Sequence, residues 1–147
     1  MLKPIMLSTA FVAFALPAFA QDAAQVMVSQ SEEHGEYLTD ADGRALYLFT
    51  ADTQGSGDAQ AQISCSGECL EAWPLFTTTG DPQAGDMADA SLLGTLEHEG
   101  ESVVTYNGWP LYYFARDAGP GEATGQDVES FGGEWYLVTP AGEKVGH

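Results

Sequence analysis

The chain repeats itself. Asp42-Gly43-Arg44-Ala45-Leu46-Tyr47-Leu48-Phe49-Thr50-Ala51-Asp52 aligns without gaps, at an offset of 65, to Asn107-Gly108-Trp109-Pro110-Leu111-Tyr112-Tyr113-Phe114-Ala115-Arg116-Asp117. Gly, Leu, Tyr, Phe and Asp coincide, five of eleven positions, and Asp42/Asn107 makes a sixth similar pair. A turn, a strand and a strand-ending acid recur in the same order, which reads as duplication. Asp40-Ala41-Asp42-Gly43 and Asn107-Gly108 are turn sequences, because Asp and Asn accept local backbone bonds and Gly takes positive φ. Either hairpin alone leaves an apolar face open, so the two are expected to pack on each other.

Around this repeat the chain is a series of short β-type runs cut by turn signals. The runs are Glu36–Thr39, Arg44–Thr50, Ser91–Leu96, Ser102–Tyr106, Trp109–Ala115 and Trp135–Thr139. Arg44–Thr50 is apolar on both faces, the pattern of a strand covered on both sides. Ser64–Trp73 is the one predicted helix: Ser64 or Ser66 can cap it, Glu68 and Glu71 suit its first turns, and Pro74 stops it. Tyr136–Gly142 echoes Tyr37–Gly43 and reads as the start of an incomplete third unit. The expected fold is all-β: one compact domain of two duplicated β-hairpin units, sandwich or barrel-like, with a short helix beside the cysteines. The domain is expected over residues 34–147, with unit 1 at about 36–76 and unit 2 at about 91–139. Residues 21–33 precede it as a polar lead, either disordered or a first edge strand.

The N-terminus reads as an export signal. Lys3 supplies a positive charge, Ile5–Leu16 an apolar core, and Ala18-Phe19-Ala20 a small-x-small cleavage site. That core is too short for a membrane span of ~20 apolar residues. Cleavage after Ala20 leaves 127 of the 147 residues, with no lipid-attachment cysteine and no membrane anchor. The remainder keeps only Arg44, Arg116 and Lys144 against 22 Asp and Glu. Such a surface repels phosphate backbones, which excludes nucleic acid as a partner. Outside the cytoplasm, Cys65 and Cys69 are expected to form a disulfide. Closing so short a loop contributes about 2 kcal/mol, so it fixes a local turn more than the whole fold. The competing reading is a redox-active pair, but the spacing is C-x-x-x-C and no thioredoxin-like βαβ pattern surrounds it.

These residues also carry a family resemblance. Tyr47-Leu48-Phe49-Thr50-Ala51-Asp52 and Tyr112-Tyr113-Phe114-Ala115-Arg116-Asp117 resemble the Y-x-(F/W/Y)-x-x-D motif of a bacterial family of secreted repeats, or predicted lipoproteins. Cys65-Ser66-Gly67-Glu68-Cys69 with Trp73-Pro74 resembles its C-x-G-x-C…W-P segment. Tyr106–Tyr112 resembles its Y-N-G-x-P-L-Y segment, and Phe131–Val138 its closing G-G-x-W-Y-x-V. Many members carry a lipid-attachment cysteine that is missing here. The resemblance implies a secreted or envelope protein built of tandem repeats, and no chemistry.

On a strand, Tyr47 and Phe49 share one face, as do Tyr112 and Phe114. They are expected to form a core between the units, with Asp52 and Asp117 ending the strands and accepting N–H bonds from the loops that follow. The competing reading makes Asp40, Asp42, Asp52 and Asp117 oxygen ligands for a calcium-like cation, although Asp40–Gly43 lacks the later glutamate of an EF-hand loop. Trp73, Trp109 and Trp135 are expected in the core, the alternative being a groove for a sugar or apolar ligand. No G-x-S-x-G, H-E-x-x-H or phosphate-binding glycine loop is present. The expected function is a non-enzymatic periplasmic module that needs no cofactor and binds an envelope protein or small ligand. Cation binding and thiol–disulfide exchange at Cys65 and Cys69 are the alternatives.

Overall fold

A computed structural model describes Pro4 and residues 23–146. Apart from Pro4, the expected signal segment lies outside the described residues. Among the described residues, ten short strands, one helix and one 3-10 turn follow in order. β1 (Gln25–Ser31) and β2 (Gly35–Thr39) form an antiparallel hairpin, and β5 (Gln83–Ala84) joins β1 in parallel. β3 (Tyr47–Phe49), β10 (Gly133–Leu137) and β9 (Val128–Ser130) form a second sheet in the order β3-β10-β9. β4 (Thr77–Thr78), β7 (Glu101–Tyr106) and β6 (Leu93–His98) form the third, with β8 (Trp109–Pro110) paired to β7. The fold is all-β with small open sheets, and none closes into a barrel among the described residues.

The turn chemistry is as the residue types require. Glu99 and Gly100, and Asn107 and Gly108, all have positive φ, the backbone of tight two-residue hairpins. In the first unit Gly43 takes φ 90° and its N–H returns to the Asp40 carbonyl.

The two-sided strand explains how the domain is layered. Ala45, Tyr47 and Phe49 enter one core cluster, while Leu46 and Leu48 enter a second. On β10, Trp135 and Leu137 face the first cluster, and Tyr136 faces the second with the following Val138. The middle sheet therefore has no solvent face along β3, and period-2 alternation sorts each run between two cores.

Three expectations change in detail. The helix, α1, is limited to Glu68–Ala72, with Gly67 at its N-cap and no side-chain cap. Ser64 does not cap it because its hydroxyl donates to Asp52 instead. The long runs Arg44–Thr50 and Trp109–Ala115 are regular strands only over Tyr47–Phe49 and Trp109–Pro110. Each run changes partner along its length: Ala45 pairs with Thr39, whereas Tyr47 pairs with Tyr112 and Leu137. The polar lead forms β1, which is the middle strand of its sheet rather than an edge, and Val26 is wholly buried in the second cluster.

Val26→Ala is expected to cost roughly 2 kcal/mol, from lost transfer energy and the cavity left behind. The same change at half-buried Val28 is expected to cost less. Denaturant unfolding checks both, and equal, negligible costs would show that β1 is not part of the cooperative fold.

Candidate functional site

The two motif strands meet at their tyrosines. Tyr47 N–H donates to the Tyr112 carbonyl at 2.8 Å, and Tyr112 N–H returns to the Tyr47 carbonyl at 2.9 Å. The side chains repeat this exchange. The Tyr47 hydroxyl donates to Asp117 Oδ2 at 2.7 Å, and the Tyr112 hydroxyl donates to Asp52 Oδ2 at 2.6 Å. Each unit's phenol is thus held by the other unit's carboxylate.

The spacing within the motif makes this geometry. After Phe49 the chain turns, with Asp52 N–H donating to the Phe49 carbonyl at 3.1 Å, and Asp117 does the same to Phe114 at 3.1 Å. The turn brings the acid back toward the strand pair. The loops that follow satisfy its second oxygen. Asp52 Oδ1 accepts from Ser64 N–H at 2.8 Å and Ser64 Oγ at 3.1 Å. Asp117 Oδ1 accepts from Thr124 N–H at 2.8 Å and Thr124 Oγ1 at 2.6 Å. The Tyr47 hydroxyl also accepts from Gly125 N–H at 3.1 Å. A Cβ at Gly125 would stand 2.8 Å from the Trp73 and Tyr47 rings, so only glycine lets the loop approach this closely.

Around these bonds the aromatics form a ladder. Phe114, Trp73, Trp135 and Phe49 stack in that order, with centroid separations of 4.0, 3.9 and 3.9 Å. Tyr47 meets Trp73 edge-on at 5.3 Å, and Tyr112 meets Trp135 edge-on at 5.0 Å. The arrangement is approximately two-fold: Trp73 and Trp135 occupy matching places, as do the two tyrosines and the two phenylalanines. Trp73 and Trp135 are buried, which leaves only half-buried Trp109 at the surface.

Burial governs the electrostatics. Desolvation pushes the hydroxyls of Tyr47, Tyr112 and Tyr113 well above the ordinary phenol value, and the carboxylate beside each adds to the shift. Asp52 is raised by desolvation, against the lowering effect of Ser64 N–H and the Tyr112 and Ser64 hydroxyls. Within a chain of net charge −18, each buried carboxylate therefore rests on donors from its own surroundings.

The acids weighed as cation ligands do not converge. Asp40 Oδ1 accepts from the N–H groups of Asp42 and Arg44, both at 2.9 Å, and its Oδ2 accepts from the Tyr113 hydroxyl at 2.7 Å. Asp42 is exposed on the turn. Among the described residues, no group of three or more His, Cys, Asp and Glu side chains is placed to hold a metal ion. Cys65 and Cys69 are joined in a disulfide with Cα atoms 5.3 Å apart, and both are buried beside Trp73.

Sequence reasoning missed Ser64, Thr124 and the Tyr113–Asp40 bond. Ser64 follows its aspartate by 12 residues and Thr124 follows by 7, so no gapless alignment pairs them. The usable signal was chemical: a hydroxyl residue in the loop after each motif.

Several clefts open on the surface, and two of them border the repeat units. One, of about 600 Å³, lies between β6 and the loop Gly55–Ala61. The other, of about 410 Å³, is lined by Trp109, Leu48, Gln54, Asn107 and Lys144 among others. No helix among the described residues is long and apolar enough to cross a membrane.

The family model Lipoprotein_15, described as a secreted repeat of unknown function, matches residues 28–77 and 96–139, well over half of the chain. Each matched segment contains one Tyr–Phe–Asp motif with its hairpin. The chain therefore belongs to this family of secreted repeats. No curated protein and no solved structure matches it.

Tyr112→Phe leaves Asp52 Oδ2 buried without its donor, and is expected to lower stability by about 1–3 kcal/mol. Alkali provides a second check. An unfolded chain releases phenol protons near pH 10, whereas the folded chain holds those of Tyr47, Tyr112 and Tyr113 to higher pH. The contribution of these three phenols to stability is thus fully present below about pH 10 and is lost as pH rises above it. Absorbance titration is expected to find part of the tyrosine signal appearing only with cooperative unfolding. Smooth titration of all tyrosines near pH 10 in a folded chain would contradict this.

Proposed function

We propose that this protein is a non-enzymatic binding module, exported with loss of its first 20 residues and free in the periplasm. The observation that carries this reading is the complete internal use of the motif. Both oxygens of Asp52 and of Asp117 accept hydrogen bonds from within the chain, and their tyrosine partners are buried. A catalyst needs a group that reaches a substrate, and these groups face one another instead. The motif builds a rigid frame and leaves recognition to the surface. Support for the location comes from the export-type N-terminus, the buried disulfide and membership of a secreted family. The net charge of −18 favours a partner with basic surface.

Immobilised protein is expected to retain an envelope component at low ionic strength and release it as salt rises, because exposed charges are screened over about 10 Å at 0.1 M. No retained component at any salt concentration would contradict the reading.

A further inference from the structure

Among the described residues, the outer strand of the third sheet has one side without a strand partner. β6 pairs there only with β7, in the order β4-β7-β6. Their register runs from Leu93 opposite Tyr106 to His98 opposite Glu101, closed by the two-residue Glu99-Gly100 turn. In such a hairpin the residues flanking the turn exchange both backbone bonds, and the bonded pairs then alternate. His98, Leu96 and Gly94 therefore bond inward. The bond from Asn107 N–H to the Leu92 carbonyl, at 2.8 Å, continues the same alternation. Leu93, Thr95 and Glu97 accordingly turn their N–H and C=O groups away from β7. The Leu93 N–H donates to the Ala90 carbonyl, which leaves the Leu93 carbonyl and both groups of Thr95 and Glu97 as a row of unused donors and acceptors.

This edge opens on the 600 Å³ cleft. Leu92–Glu97 form one wall, and Gly55, Gly57, Ala59 and Ala61 lie on the other, where small residues keep the space open. The opposing loop is held in place. Thr53 and Gln62 exchange backbone bonds, Ser56 and Ala59 do the same, and Gly55 N–H donates to the Gly108 carbonyl at 2.9 Å. The cleft is thus preformed, about 600 Å³ in volume, and no Lys or Arg lines it. Glu97 stands exposed on β6, with Glu99 and Glu101 at the adjoining turn.

We infer that this cleft receives an extended basic segment of a partner polypeptide, which adds to β6 as a further strand. The inference deepens the binding role proposed above and rests on it. Main-chain bonds to the Leu93 carbonyl and to Thr95 and Glu97 supply affinity, and alternate basic side chains meet the acidic flank.

The probe is a hexapeptide alternating arginine and valine, titrated into the isotope-labelled chain at physiological ionic strength. Amide exchange is expected to slow at Thr95 and Glu97 as the peptide saturates. A glutamate–valine peptide, and the arginine peptide with alternate amides methylated to block pairing, are expected to bind at least about ten-fold more weakly. Thr95→Pro removes one outward N–H at an edge position that tolerates proline and is expected to abolish that protection. Glu97→Lys leaves the backbone row intact and is expected to weaken the arginine peptide alone, so it decides the matter if the proline variant fails to fold. Equal binding of methylated and unmethylated peptides would overturn the inference, as would slowed exchange elsewhere. Protection of the same two amides by concentration-dependent self-association would also overturn it, since a second copy would then be the occupant. A retained envelope component that binds both variants undiminished would overturn this inference and leave the binding role standing. Absence of any retained component would overturn the binding role itself.

Discussion

The reciprocal bonds between Tyr47 and Asp117, and between Tyr112 and Asp52, are what the rest of this fold depends on. Each bond joins a residue of one unit to a residue of the other. A duplicated hairpin carrying a phenol and a carboxylate could satisfy both within itself. Here the carboxylate sits one turn past the strand and reaches the neighbouring phenol, so neither unit is complete alone. Backbone pairing at the tyrosines and the four-ring stack follow the same exchange: Phe49 lies against Trp135 of the second unit, and Phe114 against Trp73 of the first.

The exchange also accounts for two buried carboxylates in a strongly acidic chain. An unpaired carboxylate in such a core is costly. Asp52 and Asp117 each receive three hydrogen bonds, one from a phenol and two from a Ser or Thr residue of the following loop. Those bonds tie two long loops to the core, and the disulfide fixes the chain immediately after the first.

Much of this architecture was legible in the residues, for a physical reason. Strand alternation places Tyr47 with Phe49 and Tyr112 with Phe114, turn residues require positive φ, and a two-sided apolar run requires cover on both faces. These are local constraints. What escaped was decided by competition between distant groups. Ser64 had the chemistry to cap a helix, and Asp52 claimed it. The polar lead gave a weak strand signal, and β2 and β5 on either side made it a strand. The motif acids were expected to serve the loops after them, which they do, but their bonds to the opposite unit's phenols are invisible to an alignment of one copy with the other. The apparent acidic cluster at Asp40, Asp42, Asp52 and Asp117 dissolves because each buried member is oriented by its own donors.

The most direct test of this account is a pair of double-mutant cycles read by equilibrium unfolding. One combines Tyr47→Phe with Asp117→Asn, across the units. The other combines Tyr47→Phe with Asp52→Asn, within one unit. Reciprocal exchange predicts a coupling of about 1 kcal/mol or more for the first cycle, and additivity to within roughly 0.5 kcal/mol for the second. Coupling confined to the second cycle would mean that each unit satisfies its own tyrosine, and would contradict the account.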